Sequence, residues 1–187
     1  MKKILLLLLT LIFVLSGCST MTTSEKEQKR NELDAMAEKT IAGLIEQDEK
    51  VKTEIDESLG YAVANMKLTK VPIVGAGGGE GVSFNKNRKD PIYFTVSRFD
   101  LGGGWGARSF KVLLVFQDRD VMERLNDGIW EFQAGAEASA GTASAEGSSS
   151  NLNPGFTMHV LSDGGASATV TARVIRLKVN KELSEGY

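Results

Sequence analysis

The sequence predicts an α+β fold: an N-terminal amphipathic helix packed on a twisted, mostly antiparallel, glycine-rich β-sheet or barrel-like sandwich, with one short helix between strands. Three observations carry this reading. Apolar residues recur every three to four positions through residues 25–57 and every second position from Tyr61 onward. Short turn segments rich in Gly, Asn, Ser and Pro separate the alternating runs. One stretch after Asp118 returns briefly to helical spacing.

The first segment precedes the fold. Lys2 and Lys3 form a basic end, Ile4 to Leu15 an apolar run, and Ser16 and Gly17 a small-residue site before Cys18, the layout of a secretory signal over residues 1–17. A helix of about twelve residues rises only about 18 Å, well short of a hydrocarbon core of about 30 Å, so cleavage is expected rather than a permanent span. Leu15-Ser16-Gly17-Cys18 resembles the lipobox of bacterial lipoproteins. That resemblance implies a diacylglyceryl group on the Cys18 thiol and, after cleavage, an acyl group such as palmitate on its new amine. An ordinary signal peptide that leaves a buried cysteine is the alternative. Cys18 has no second cysteine to pair with, and lipidation removes a lone thiol from an oxidising compartment. Two or more acyl chains hold a protein firmly to a bilayer. Ser19 after the cysteine resembles the outer-membrane sorting pattern, which places the chain on the periplasmic side of the cell envelope in a Gram-negative organism.

Residues 18–24 comprise the lipidated cysteine and a polar tether. Ser24 and Glu27 have capping-box spacing, and Leu33, Met36, Ala37, Ile41, Leu44, Ile45, Val51 and Ile55 mark the apolar side of a helical segment over 25–57, with a break expected near Gly43. Packing on the sheet suits that stripe; a partner- or membrane-binding face is the alternative. Strands are expected over 73–84, 91–99, 101–109, 111–117, 129–145, 156–162 and 166–179. Asn85 to Pro91 and Ser148 to Gly155 read as loops, and Asp163-Gly164-Gly165 as a tight turn. Asp118 can cap the short helix, whose apolar side is Val121, Met122 and Leu125, and Gly128 sits where a left-handed residue ends it. Trp130, Phe132, Ala134, Ala136, Ala138 and Ala140 share one parity of a strand with one buried face.

Net charge is small but uneven. Residues 18–60 hold six Lys/Arg against eleven Asp/Glu, residues 61–117 eight against three, and residues 118–187 six against ten. The middle third is a basic island of about +5, able to meet anionic headgroups or to neutralise its acidic neighbours within the fold.

The glycine runs Gly75 to Gly81 and Gly102 to Gly106 invite a phosphate-binding reading, which fails on context. The chain has no GxxxxGK[ST], and the Gly102, Gly104, Ala107 match leads into the strand-like Lys111 to Phe116 rather than a helix. Read with period two, Gly75, Gly77, Gly79 and Gly81 line one strand face and Gly102, Gly104 and Gly106 another. Faces without side chains imply close approach by a helix, Trp105 or a facing strand, or by an acyl chain. Catalytic patterns are weak. His159 is the sole histidine and has no acid near it in sequence, which also argues against a metal site. Ser83-Phe84-Asn85-Lys86 matches SxxK without its companion motifs. No cofactor, no metal and no nucleic-acid partner are expected.

The order of motifs is itself informative. Gly60-Tyr61-Ala62-Val63 with Asn65 and Lys67, then Gly77-Gly78-Gly79-Glu80-Gly81-Val82, then Gly102-Gly103-Gly104-Trp105-Gly106, then Val115-Phe116 with a short helix, then Trp130-Glu131-Phe132 resemble the SYLF domain over roughly residues 58–182. The resemblance implies a non-enzymatic, phospholipid-binding domain within residues 58–187. The resulting expectation is a membrane-anchored envelope lipoprotein that touches a lipid surface with its glycine-faced sheet and with Lys67, Lys70, Lys86, Arg88, Lys89, Arg98, Arg108 and Lys111. Tyr93, Phe99 or Trp105 would add apolar contact. An envelope scaffold that binds another protein through its N-terminal helix is the alternative.

Overall fold

In the computed structural model, which describes residues 20–128, 131–132, 136–140, 143–147 and 155–185, helix α1 (Thr23–Gln47) begins two residues before the expected start at residue 25. Thr22 is extended, its hydroxyl accepts from the Glu25 amide at 3.3 Å, and the Glu25 carboxylate accepts from the Thr22 amide at 2.7 Å. The same Thr/Ser-x-x-Glu spacing occurs at Thr22 and at Ser24, and packing selects the earlier pair, because Met21 is already seated against the core. The expected tether of 19–24 therefore shortens. The signal peptide and Cys18 lie outside the described residues, as do Ile129, Trp130 and residues 148–154 of the Ser148 to Gly155 loop.

The helical segment breaks at Asp48, not near Gly43, and resumes as α2 (Lys50–Glu57). Gly43 serves close approach: a Cβ there would stand 3.2 Å from the Leu161 side chain. Strands β1 (Gly60–Lys70), β2 (Val74–Asn85) and β3 (Ile92–Phe116) follow, then α3 (Arg119–Asn126), β4 (Glu131–Phe132), β5 (Ala136–Ala140), β6 (Ala143–Gly147) and β7 (Phe156–Val179). All pairings are antiparallel, within one seven-stranded sheet. Among the described residues no helix is long and apolar enough to cross a membrane.

Two expectations about strand breaks are corrected. Residues 92–116 form one strand where three were expected, and 156–179 one where a turn at Asp163-Gly164-Gly165 was expected. Tertiary pairing supplies the reason, since β3 and β7 run side by side from Phe94↔Val179 to Phe116↔Phe156. Ser109 faces Gly164 and Phe110 faces Ser162, which makes Asp163 an extra residue in the ladder, a bulge rather than a turn. β1 adds a strand where the expected list began only at residue 73.

The length of β3 lets it border two strands in turn. Its first part, Ile92–Leu101, pairs with β2, and its second, Gly106–Phe116, pairs with β1, while β1 and β2 pair with each other. The sheet is therefore strongly curled, and both edges of β1 and β2 are occupied. The change of partner falls on Gly102 to Gly106, where Gly104 and Gly106 have φ of 143° and 140°, a backbone region that L side chains rarely adopt. This glycine run is the corner at which β3 rounds the tip of the β1–β2 hairpin.

Opposite parities fill the two sides of the curl. On the convex side Val63, Val82, Tyr93, Leu113 and Val115 meet Leu33, Ala37 and Leu44 of α1, Val51 of α2 and Leu183. The stripe of the N-terminal helix is thus spent on the sheet, and Tyr93 donates to Asp34 of α1 at 3.1 Å. On the concave side Ala62, Met66, Leu68, Phe94, Phe110 and Leu114 pack together, with Met122 and Leu125 of α3 completing the cluster. Asp118 caps α3 through the Val121 amide, and Gly128 is left-handed at φ 71°, both as expected.

Candidate functional site

Gly75, Gly77, Gly79 and Gly81 of β2 face the concave side, while Gly78 faces outward. Gly77, Gly79 and Gly81 stand opposite Leu68, Met66 and Ala64 of β1, and the missing side chains are replaced by neighbours. A Cβ on Gly79 would lie 2.0 Å from the Asn65 carbonyl oxygen and 2.8 Å from the Met66 sulfur, and one on Gly81 would lie 2.6 Å from the Phe94 ring. The close approach foreseen for this stripe is therefore made by the facing strand, and the stripe offers no open face to a lipid surface.

Beyond α1's reach the convex face is bare, and a cluster of large apolar side chains gathers at the hairpin tip. Val71 and Ile73 occupy the β1–β2 turn, closed by reciprocal backbone hydrogen bonds between Val71 and Val74. Val74 pairs with Leu101, and the neighbouring Ala76 with Phe99. Lys70 pairs with Gly106, which brings Trp105 alongside the turn as β3 rounds it. Ile73 is 70 % exposed and Trp105 75 %, and Val71, Val74, Phe99 and Leu101 are exposed too. Hairpin turns are ordinarily polar, and contiguous exposed apolar surface marks a contact site.

Directly inside the tip lies a charged layer. Arg98 makes a two-pronged contact with Asp100, Nε to Oδ1 at 2.9 Å and Nη2 to Oδ2 at 2.8 Å, both side chains buried. Arg108 is buried with its guanidinium 4.0 Å above the Phe110 ring. Lys70 is 3 % exposed. Between this layer and α3 the curled sheet encloses an apolar cavity of about 80 Å³, lined by Ala62, Ala64, Met66, Phe94 and Phe110 among others and reaching Arg98 at one end.

The basic island is thereby divided. Lys70, Arg98 and Arg108 lie inside; Lys86, Arg88 and Lys89 sit on the exposed β2–β3 connection, at the other end of β2 from the tip; Lys67 is exposed on the convex face of β1; Lys111 is paired with Asp163. These eight residues do not form one surface. Tyr93 is buried beneath α1, so of the three aromatic residues only Phe99 and Trp105 are available for contact. The tip residues Val71, Ile73, Val74 and Leu101 went unnoticed in the sequence. Their signal was the apolar run Val71-Pro72-Ile73-Val74 at a turn.

The remaining catalytic patterns are committed elsewhere. Ser83 is buried and donates to Asn126 at 3.0 Å, while Lys86 donates to the Asp56 carbonyl at 2.6 Å, so SxxK brings its two ends to different partners. His159 Nε2 lies 2.8 Å from Glu54 of α2, which also accepts from Thr157. The acid partner absent near His159 in sequence is supplied across the fold.

With this geometry in view, one relationship to a known protein emerges. The chain is distantly similar to beta cell expansion factor A of Aeromonas veronii, 21 % identical over 159 residues. The match covers 85 % of this chain and 60 % of that protein. No protein-family model matches the chain, and no solved structure matches it.

Proposed function

We propose that this chain is a lipid-anchored envelope protein whose SYLF-like domain binds a phospholipid membrane surface, without catalysis, through the apolar tip of its β1–β2 hairpin. The observation that carries this reading is the exposed cluster Val71, Ile73, Val74, Phe99, Leu101 and Trp105 at the tip of the β1–β2 hairpin. Tryptophan at such a position suits the headgroup level of a bilayer, with aliphatic neighbours below it. Each large apolar side chain fully withdrawn from water contributes roughly 1.5–3 kcal/mol, so three or four reaching the acyl region approach the about 8 kcal/mol of micromolar binding. Cys18 lies three residues before Met21, whose side chain is part of the fold, so a lipid on Cys18 would sit within about 10 Å of the domain.

The test is co-sedimentation of the full chain with phosphatidylglycerol vesicles, comparing it with the double substitution Ile73→Ser, Trp105→Ser. At least a tenfold loss of vesicle affinity is expected. Affinity unchanged by these substitutions would overturn the reading.

A further inference from the structure

Lys70 is the side chain inside the molecule that nothing described so far explains. Its Nζ is buried and has no hydrogen-bond partner among the described residues. It is not a surface lysine folded back by chance. It holds an inward position on β1, in register between Gly75 and Gly106, and a Cβ on Gly75 would meet Lys70 Cγ at 3.3 Å and Asp100 Cβ at 3.1 Å. Gly75 leaves space that the lysine stem fills. Asp100 lies on the far side of Gly75 but gives both carboxylate oxygens to Arg98. The layer thus assembles three buried cations, Lys70, Arg98 and Arg108, around one described buried carboxylate, and it leaves an ammonium with three donors and no acceptor. Buried charges ordinarily have partners, so the Lys70 ammonium is satisfied only when an acceptor oxygen reaches it.

Next to this layer is the apolar cavity, and Arg98 belongs to both. At about 80 Å³ it accommodates about three methylene groups, taking one as close to the roughly 30 Å³ of a water molecule. Half-buried residues such as Ala64, Val112, Met158 and Ile175 line the rest of its wall, so a longer chain has a way out of the curl. A buried cationic end joined to a narrow apolar bore fits one class of ligand. We infer that the concave side of the sheet binds a single-chain anionic amphiphile, a fatty acid, with its carboxylate at Lys70 and Arg98 and the adjoining part of its chain in the cavity. The site is separate from the tip, which lies on the convex face and the turn, and it does not depend on the membrane-surface reading.

Isothermal titration of the full chain, freed of copurified lipid, with sodium dodecanoate tests the assignment. Saturable binding with a 1:1 ratio is expected. Lys70→Met should weaken it at least tenfold while leaving the melting temperature equal or higher, because methionine fills the lysine's space and removes an unpartnered charge. Sodium acetate should bind at least a hundredfold more weakly than dodecanoate. Absence of saturable binding, or equal affinity in a folded Lys70→Met protein, overturns the inference, and acetate binding as tightly as dodecanoate reduces the site to an anion site and overturns it as well. The Ile73→Ser, Trp105→Ser protein separates the two proposals: it should lose vesicles and keep dodecanoate. Vesicle binding without dodecanoate binding defeats this inference alone, and the reverse defeats only the membrane-surface reading.

Discussion

Gly79 illustrates how single residues set the shape of this fold. Its inward Cβ position is occupied by the Asn65 carbonyl oxygen at 2.0 Å, a backbone atom that cannot rotate away, whereas the outward position at Gly78 has its nearest neighbour at 3.0 Å. Gly79→Ala should therefore destabilise by about 3 kcal/mol or more, at or above the upper end of ordinary overpacking, and clearly more than Gly78→Ala. Paired urea denaturation curves check the difference. Tyr93 offers a second residue-scale expectation. Burial, then the Asp34 charge and the hydrogen bond to it, push the Tyr93 phenol well above its usual 10, and burial pushes the Asp34 carboxyl above its usual 3.8. For Tyr93 the folded value exceeds the unfolded one, so its contribution is complete below about pH 10 and is lost as pH rises toward the folded value. Melting temperatures from pH 8 to 11.5 should fall more steeply for the native chain than for Tyr93→Phe. Tyr61, shifted upward in the same direction, leaves a smaller slope in the variant.

Among the elements, α1 shows what local chemistry and packing each contribute. The reciprocal cap between Thr22 and Glu25 satisfies orphan amides at the helix start and holds the Glu25 carboxyl below its usual 4.5. Thr22→Ala should cost about 1 kcal/mol at neutral pH. Because the folded value of Glu25 is the lower one, its share is present above the unfolded value and disappears as pH falls through the folded one. The penalty of Thr22→Ala, read from melts at pH 7 and pH 3, should accordingly shrink in acid. The rest of the helix is held by tertiary contacts, including Lys29 with Glu80 of β2 at 2.6 Å and Arg30 with Glu185 at 2.8 Å. That docking makes the apolar side of α1 a cover for the sheet and leaves its acidic side, with Glu25, Glu27, Glu32 and Glu38, exposed. β3 makes the converse point. Breaks were expected at Asp100 and Phe110, yet the strand continues through both and through its glycine corner because a partner is available on each side of the bend.

For the whole molecule, the distribution of charge separates two ways of meeting a membrane. A basic surface would attract anionic vesicles with an affinity that falls steeply with salt. Here three of the eight basic residues are inside, one is paired with Asp163, three are on the β2–β3 connection away from the tip, one, Lys67, is exposed on the convex face of β1, and the exposed tip is apolar. Vesicle affinity should therefore change less than about threefold between 50 and 300 mM NaCl. A loss of tenfold or more over that range would shift the contact to the cations of the β2–β3 connection.

The sequence by itself determined what depends on neighbours along the chain. The helical period of residues 25–57, the alternation from Tyr61, the Asp118 cap and the left-handed Gly128 were legible because spacing and local backbone preference decide them. The tertiary structure alone decided which carboxylate reaches His159, that the glycine stripe faces inward, that three expected strands are one, and that Lys70 and Arg108 share a buried layer with Arg98 and Asp100. Those outcomes depend on register between distant strands and on the curl of the sheet, and alternation assigns a residue to one of two faces without saying which face the curl will bury.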